Sequence, residues 1–330
     1  CEILKENKIS FYESGINHGT ITAKIEQDKF EITTLRKDVL TDGRHAQVEY
    51  SRDWHEDASR RDFTFNAIYA DLHGNLYDPF DGKKDLKLGI VKFIGDPDKR
   101  IKEDYLRILR YVRFFLNYSK KDHDENLKKI IKRNINGISK ISSDRLIDEL
   151  KKLFLSSGFL KLSKDKFCQE IISLIFPQLI KMSIFQNIND HSKKIIEQKD
   201  FIFLISLMII DNTDNSEYFI YKYNISNEDK KRIRFLSNIY SKNLDKDLFK
   251  EKNLWKIFYF NGKNSLIDLI NFQIFQNKKL DKKLIQLKNF FNNQEVPKLE
   301  IGAKTLIEKF NYKEGKELGN KLKEIEQFWI

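Results

Sequence analysis

Arg60-Arg61-Asp62-Phe63-Thr64-Phe65-Asn66-Ala67, followed one helix later by Glu103-Asp104-Tyr105-Leu106-Arg107, is the stretch on which the reading of this 330-residue chain turns. Two adjacent arginines offer planar forks for phosphate oxygens, Asp62 can accept from a ribose hydroxyl, and Asn66 can donate and accept beside them. A lone Arg-Arg-Asp is more often a solvated surface turn. Here the charges run directly into the apolar Phe63, Phe65, Ala67 and Ile68, so we expect them at the mouth of a strand that enters a core. The strand should continue through Tyr69 and Ala70, turn at His73-Gly74-Asn75 and return as Leu76 and Tyr77.

The second motif is expected on a helix running from Pro97 to about Asn117. Asp96 is placed to cap it, and Pro97 occupies the first turn, where a missing N–H costs little. Ile101, Tyr105, Ile108, Leu109, Val112 and Phe115 recur at helical spacing, while Arg100, Glu103, Asp104, Arg107 and Arg110 fall mainly on the other side. Asp104 and Arg107 are three apart. Their plain reading is a surface ion pair worth a few tenths of a kcal/mol. Their functional reading is a fixed row of donors and acceptors matched to a base edge.

The run RRDFTFNA, the later DPF, the IGDP followed by RIKEDYLRILRYVRF, and the preceding GINHGT and FEITTLR resemble bacterial CCA-adding tRNA nucleotidyltransferases and their poly(A) polymerase relatives. The likeness is dense from residue 13 to about 150, and Gly315 to Trp329 also looks like that family's tail. It implies that Asp62 meets the ribose and Arg61, with Arg60, the triphosphate. Asn66 and Arg110 join the same nucleotide site. It further implies that Asp104 and Arg107 read the Watson–Crick edge of CTP or ATP, with Glu103 orienting them. Arg36-Lys37-Asp38 through Asp42-Gly43-Arg44 is similar to the family's flexible loop, so Asp38, Gly43 and Arg44 are candidates for switching from C to A addition. A plain polar loop is the rival reading. Ser142 to Glu149 resembles the neck motif that steadies the template helix, and the residues themselves already look structural: a serine cap, an early acid, and Arg145 one turn from Glu149.

Nucleotidyl transfer joins a tRNA 3′-hydroxyl to the α-phosphate with loss of pyrophosphate, and two carboxylate-bridged metal ions, Mg2+ in such enzymes, stabilise the attacking and leaving oxygens. Glu31, in the alternating strand Phe30-Glu31-Ile32-Thr33, places a carboxylate between apolar neighbours and is a candidate third acid and metal ligand. A single acid in an edge strand is more often solvated. Family members carry upstream a Gly-Gly strand and a DxD pair holding the catalytic magnesium. This sequence has no equivalent: it opens Cys1-Glu2-Ile3-Leu4-Lys5, in what reads as the following helix, and without methionine. The expectation is a partial sequence that binds nucleotide better than it catalyses.

Lys plus Arg number 60 and Asp plus Glu 49, a net charge of +11, which permits an RNA partner through phosphate neutralisation. Abundant lysine, asparagine and isoleucine can also follow from base composition alone. No apolar run reaches the roughly 18 residues of a membrane span; Phe201 to Ile210 is too short. Two cysteines give neither a disulfide framework nor a CxxC metal site, which suits a cytoplasmic setting, and the six histidines show no zinc-ligand spacing. His18 in Asn17-His18-Gly19-Thr20 reads as a turn residue.

Beyond residue 150 the pattern is helical. Ser226 with Asp229 caps a helix, Asn261-Gly262 separates two, and Ala303 to Phe310 pairs with Lys316 to Trp329 across a turn ending at Gly315. The fold class expected is α+β: an incomplete nucleotidyltransferase-type β-sheet head over 1–95, a helical template-bearing neck over 96–155, a helical body over 156–290 and a tRNA-binding tail over 291–330. The leading function is addition of CMP and AMP to tRNA 3′ ends from CTP and ATP. The alternatives are poly(A), CC-only or A-only addition, or a non-catalytic RNA-binding remnant.

Overall fold

A computed structural model describes residues 1–16, 19–41, 46–186, 188–198, 200–241, 246–277 and 281–329, with the side chains of 14, 38–41, 46–48 and 246 excepted. The chain forms two compact units, Cys1–Ile175 and Phe176–Ile330.

The first unit opens with α1 (Glu2–Glu6) and three strands, β1 (Ser10–Gly15), β2 (Thr20–Ile25) and β3 (Asp28–Thr33), paired antiparallel in that order. The two-stranded pair β4 (Arg36–Thr41) and β5 (Ala46–Tyr50) follows, then α2 (Trp54–Ser59), capped by the Asp53 carboxylate on the His55 N–H. The expected hairpin is present as β6 (Tyr69–Ala70) and β7 (Leu76–Tyr77). The expected strand from Phe63 to Ile68 is not. Phe63 makes one isolated bridge to Phe93, and Thr64–Ala67 coils into a 3-10 turn. The cause is tertiary. Helix α3 (Gly82–Leu88) begins so close that a Cβ on Gly82 would lie 2.3 Å from the Thr64 carbonyl oxygen, and the Thr64 hydroxyl donates to Asp85 at 2.8 Å.

The helix expected from Pro97 to about Asn117 is also interrupted. Asp96 caps α4 (Pro97–Glu103) through the Lys99 N–H, as expected, but Asp104 leaves the helix at φ −151°, ψ 104°, and α5 (Leu106–Tyr118) starts afresh. The Tyr105 ring lies against Gly137, where an added Cβ would meet it at 2.0 Å. Then come α6 (Glu125–Asn134), α7 (Ser143–Phe154), the single turn α8 (Phe159–Leu162) and α9 (Lys166–Ile175). Phe63, Phe93, Phe114, Ile108, Leu109, Val112, Leu150 and Phe154 form the buried interior here.

The second unit has helices as its regular elements and no strand among its described residues: α10 (Asp190–Glu197), α11 (Phe201–Ile209), α12 (Asn215–Lys222), α13 (Asn227–Ser241), α14 (Glu251–Gln276), α15 (Lys282–Asn292), α16 (Ala303–Phe310) and α17 (Lys316–Trp329). Gly262, at φ 80° and ψ 171°, breaks α14 where Asn261-Gly262 signalled a boundary, a conformation that a side chain rarely adopts. The Ser226 hydroxyl accepts from Asp229 N, and α16 and α17 have the bounds read from the sequence. Apolar α11 is buried on all sides, which accounts for its even hydrophobicity. No helix among the described residues is long and apolar enough to cross a membrane.

Candidate functional site

Asp57 organises the Arg-Arg-Asp turn from beneath. It projects from α2 and is 1% exposed. Its Oδ1 accepts from Arg60 Nη2 at 2.7 Å and from the Arg36 N–H at 3.2 Å; its Oδ2 accepts from the Tyr69 hydroxyl at 2.7 Å and Arg61 Nη2 at 3.2 Å. Burial would raise this carboxyl, but the Tyr69 and Arg60 hydrogen bonds and the Arg60 charge outweigh it and hold it below the usual value. Burial and the same carboxylate push the Tyr69 phenol up to about 12. The two guanidinium groups are therefore pre-oriented on one buried anion. Arg61 also donates to the Asn66 carbonyl and lies over the Tyr69 ring.

Asp62 is 7% exposed and accepts from Arg110 Nε at 2.5 Å, Asn66 Nδ2 at 2.9 Å and the Phe63 N–H at 2.9 Å. Burial opposes its ionisation, yet Arg110, Asn66 and the amide together keep its carboxyl below the ordinary range. The second motif arrives through two further arginines. Arg100 Nη2 donates to the backbone carbonyls of Arg60 and Arg61, both at 2.5 Å, and its Nη1 donates to Glu103. Arg107 Nη1 donates to Glu103 Oε2 and to the Arg100 carbonyl, each at 2.7 Å, while its Nη2 approaches the Arg60 carbonyl at 3.4 Å. Glu103 thus holds Arg100 and Arg107 side by side.

Asp104 takes a different partner from the one its spacing suggests. Because α4 ends there, its Oδ1 accepts from the Leu106 N–H at 3.2 Å and its Oδ2 from Arg145 Nη2 at 2.7 Å, so the expected helical Asp104–Arg107 pair is replaced by a bond to α7. Glu149, expected one turn from Arg145, is 1% exposed and receives Arg113. The neck residues therefore brace both α5 and the break. Ser142 stands at the N-cap of α7 without a side-chain cap hydrogen bond.

Arg60, Arg61, Asp62, Asn66, Glu103, Arg107 and Arg110 are joined in one hydrogen-bonded network, and Asp104 sits at its edge. Glu31 is not part of it. It lies exposed on β3 opposite Thr22, with Phe30 and Ile32 also about half exposed, and among the described residues no hydrogen bond or ion pair reaches its carboxylate. Asp38 is seen as backbone only, opposite Val48, while Gly43, Arg44 and His18 lie outside the described residues. Magnesium requires an octahedral oxygen set built from carboxylates, phosphates and water, and the two-metal arrangement needs carboxylates shared between ions. Glu31 alone does not fit that demand. Sequence reading missed Asp57 and Arg100 as organisers, although Asp57 stands three and four positions before the two arginines, which is a helical-pair signal.

Residues 1–92 match the family described as Poly A polymerase head domain. A CCA-adding enzyme of Lactococcus lactis subsp. cremoris is 30% identical over 326 residues, covering 95% of this chain and 77% of that protein. The chain belongs to the CCA-adding enzyme family. The human mitochondrial CCA tRNA nucleotidyltransferase 1 is 49% identical over 145 residues, 43% of this chain, and the match spans only 33% of the human protein's length. Among solved structures, the Bacillus stearothermophilus CCA-adding enzyme in complex with CTP overlays with a TM-score of 0.67 at 18% identity, covering 96% of this chain and 78% of that one. At that identity the likeness is one of fold: a small β-sheet head followed by helices, as in other CCA-adding enzymes.

Proposed function

We propose that this chain holds and selects the nucleotide for a tRNA nucleotidyltransferase that adds CMP and AMP to tRNA 3′ ends from CTP and ATP. The observation that carries the reading is the pair of Arg100 bonds to the Arg60 and Arg61 carbonyls, which fix a triphosphate-suited turn to the base-reading segment. Arg60 and Arg61, oriented by Asp57, bind phosphate oxygens; Asp62, kept ionised by Arg110, accepts from the ribose hydroxyl; Asp104 and Arg107 present acceptor and donor to the base edge. A network bonded before substrate arrives lowers the ordering cost of binding. Residues 1–95 serve as head, 96–155 as neck, 156–290 as body and 291–330 as tail, and Asp38 to Arg44 as the loop that changes with C or A addition.

The reaction joins the tRNA 3′-hydroxyl to the α-phosphate and releases pyrophosphate; the divalent ion we propose for it is Mg2+, which when bound would supply charge stabilisation to the attacking and leaving oxygens. Glu31, exposed on β3, does not by itself hold such an ion. A cytoplasmic setting is supported by the two free cysteines, Cys1 and Cys168. CCA-adding relatives such as the Lactococcus protein favour CCA over poly(A) addition. Equilibrium dialysis tests the selecting role: CTP and ATP should bind at least tenfold more tightly than GTP and UTP, and equal retention of all four overturns it. Incubating the intact gene product with tRNA lacking its last three nucleotides, then sequencing the product ends, separates CCA, CC, A and poly(A) outcomes.

A further inference from the structure

Three side chains far apart in sequence converge within the first unit. His123 lies between α5 and α6, Asp165 precedes α9, and Cys168 sits in the first turn of α9. His123 Nε2 stands 3.1 Å from Asp165 Oδ2 and 3.7 Å from Cys168 Sγ. One ligand atom from each of the three falls within 4.8 Å of the others, and no other group of three such residues does so among the described residues.

The surroundings aim these atoms at one another. On the opposite side of the imidazole, the Tyr111 hydroxyl lies 2.9 Å from Nδ1. The ring stacks on Phe115 with centroids 3.5 Å apart and meets Phe167 edge-on at 4.7 Å. Asp165 Oδ1 accepts from the Cys168 N–H at 2.8 Å, and both carboxylate oxygens face His123 Nε2, at 3.2 and 3.1 Å. Cys168 is fully buried, and the side chains of His123 and Asp165 are 10% and 22% exposed, so solvent reaches these two but not the thiol.

We propose that His123, Asp165 and Cys168 form a binding site for a borderline-soft divalent transition ion, with Zn2+ as the expected occupant. Imidazole, thiolate and carboxylate are the donor set that suits zinc, cobalt or iron, whereas magnesium prefers oxygen alone. Tetrahedral zinc, with bonds of about 2.0–2.2 Å to nitrogen and oxygen and about 2.3 Å to sulfur, separates its ligand atoms by about 3.3–3.7 Å. The two separations from His123 Nε2, 3.1 Å to Asp165 and 3.7 Å to Cys168, lie within a few tenths of an ångström of that range. The Cys168 thiol gives its proton to solvent on binding, Nε2 offers its lone pair, and Nδ1–H donates to the Tyr111 oxygen, the outer contact that fixes the tautomer. Water completes the fourth position on the aspartate side. The ion would staple the α5–α6 connection to α9, a structural role separate from nucleotidyl transfer.

The test uses the full chain. After exhaustive chelation and readdition, wild type should take up one equivalent of Zn2+ or Co2+. The cobalt form should show tetrahedral visible bands with a thiolate-to-cobalt charge-transfer band, and its melting temperature should rise with metal. Cys1→Ser should keep all of this. His123→Ala and Cys168→Ser should abolish stoichiometric uptake, and Asp165→Asn should weaken it at least tenfold. Because a buried variant can fail to fold, the wild-type cobalt spectrum stands by itself: absence of the charge-transfer band, or loss of it in Cys1→Ser, overturns the site. Wild type that binds no equivalent of metal overturns it too. The three groups are then satisfied by protons, with the thiol and Nε2–H donating to Asp165 and the Tyr111 hydroxyl to Nδ1.

Discussion

Arg110 Nε donates to Asp62 Oδ2 at 2.5 Å across 48 positions of the chain, tying the last residue of the Arg-Arg-Asp turn to the face of α5. Two consequences differ in sign. Despite its burial, Asp62 has a folded-state carboxyl held below its ordinary value, so its contribution to stability is present above about pH 4 and lost as pH falls through the folded value. Thermal stability of wild type should therefore fall as pH drops below about 4, and Asp62→Asn should flatten that fall. Arg110→Met strands a buried carboxylate at neutral pH, costing about 3 kcal/mol, and acidification should recover part of the loss. An Arg110→Met protein that is as stable as wild type at pH 7 would show that the bond contributes nothing.

Asp57 is the anion shared by Arg60 and Arg61, the two arginines proposed to bind phosphate. Asparagine there keeps the shape and one acceptor oxygen but removes the charge that orients Arg60 and Arg61. Affinity for CTP and ATP should fall about tenfold, roughly 1.4 kcal/mol, alike for both nucleotides because the triphosphate is common to them. Dialysis read beside a melting curve separates the outcomes: lower stability with unchanged affinity would make Asp57 a scaffold residue only.

What local chemistry dictates was legible in the sequence. The Asp96 cap, the Tyr69–Tyr77 hairpin and the two closing helices stand where capping, turn and spacing rules put them. What failed was set from a distance. The spacing of Ile101, Tyr105 and Ile108 runs straight through Asp104, and only Arg145, 41 residues on, and the flat surface of Gly137 explain why the helix stops there. Phe63 to Ile68 carries good strand residues, but the close start of α3 coils them. Arg100, which joins the two motifs, carries no signature beyond its charge, and Asp57 only its spacing of three and four from the arginines. His123 and Cys168, 45 apart, have no metal-like spacing at all.

Gly137 gives a test of the helix break without touching a nucleotide-directed group. Alanine would place its Cβ about where the Tyr105 ring now lies, so Gly137→Ala should destabilise the first unit by about 1–3 kcal/mol. If the cost is that clash, adding Tyr105→Ala should recover part of it, giving a coupling energy in a double-mutant cycle of chemical denaturation. Strictly additive losses would mean that the ring is not what Gly137 accommodates.

The proposed base selection depends on the break at Asp104. Were Asp104 and Arg107 on one continuous helix, each would neutralise the other; the break instead gives Asp104 to Arg145 and Arg107 to Glu103, so acceptor and donor are held by separate partners. Asp104→Ala and Arg107→Ala should each scramble the preference among CTP, ATP, GTP and UTP with a smaller effect on total triphosphate binding. Arg145→Met, which frees Asp104 without removing it, should blur selection less than Asp104→Ala does. Asp62→Ala should instead weaken discrimination against deoxynucleotides and leave base choice intact. Competition binding with the four ribonucleotides and dCTP measures all four variants together. Unchanged base preference in both Asp104→Ala and Arg107→Ala would remove the template role from this segment and leave it a brace for the Arg-Arg-Asp turn.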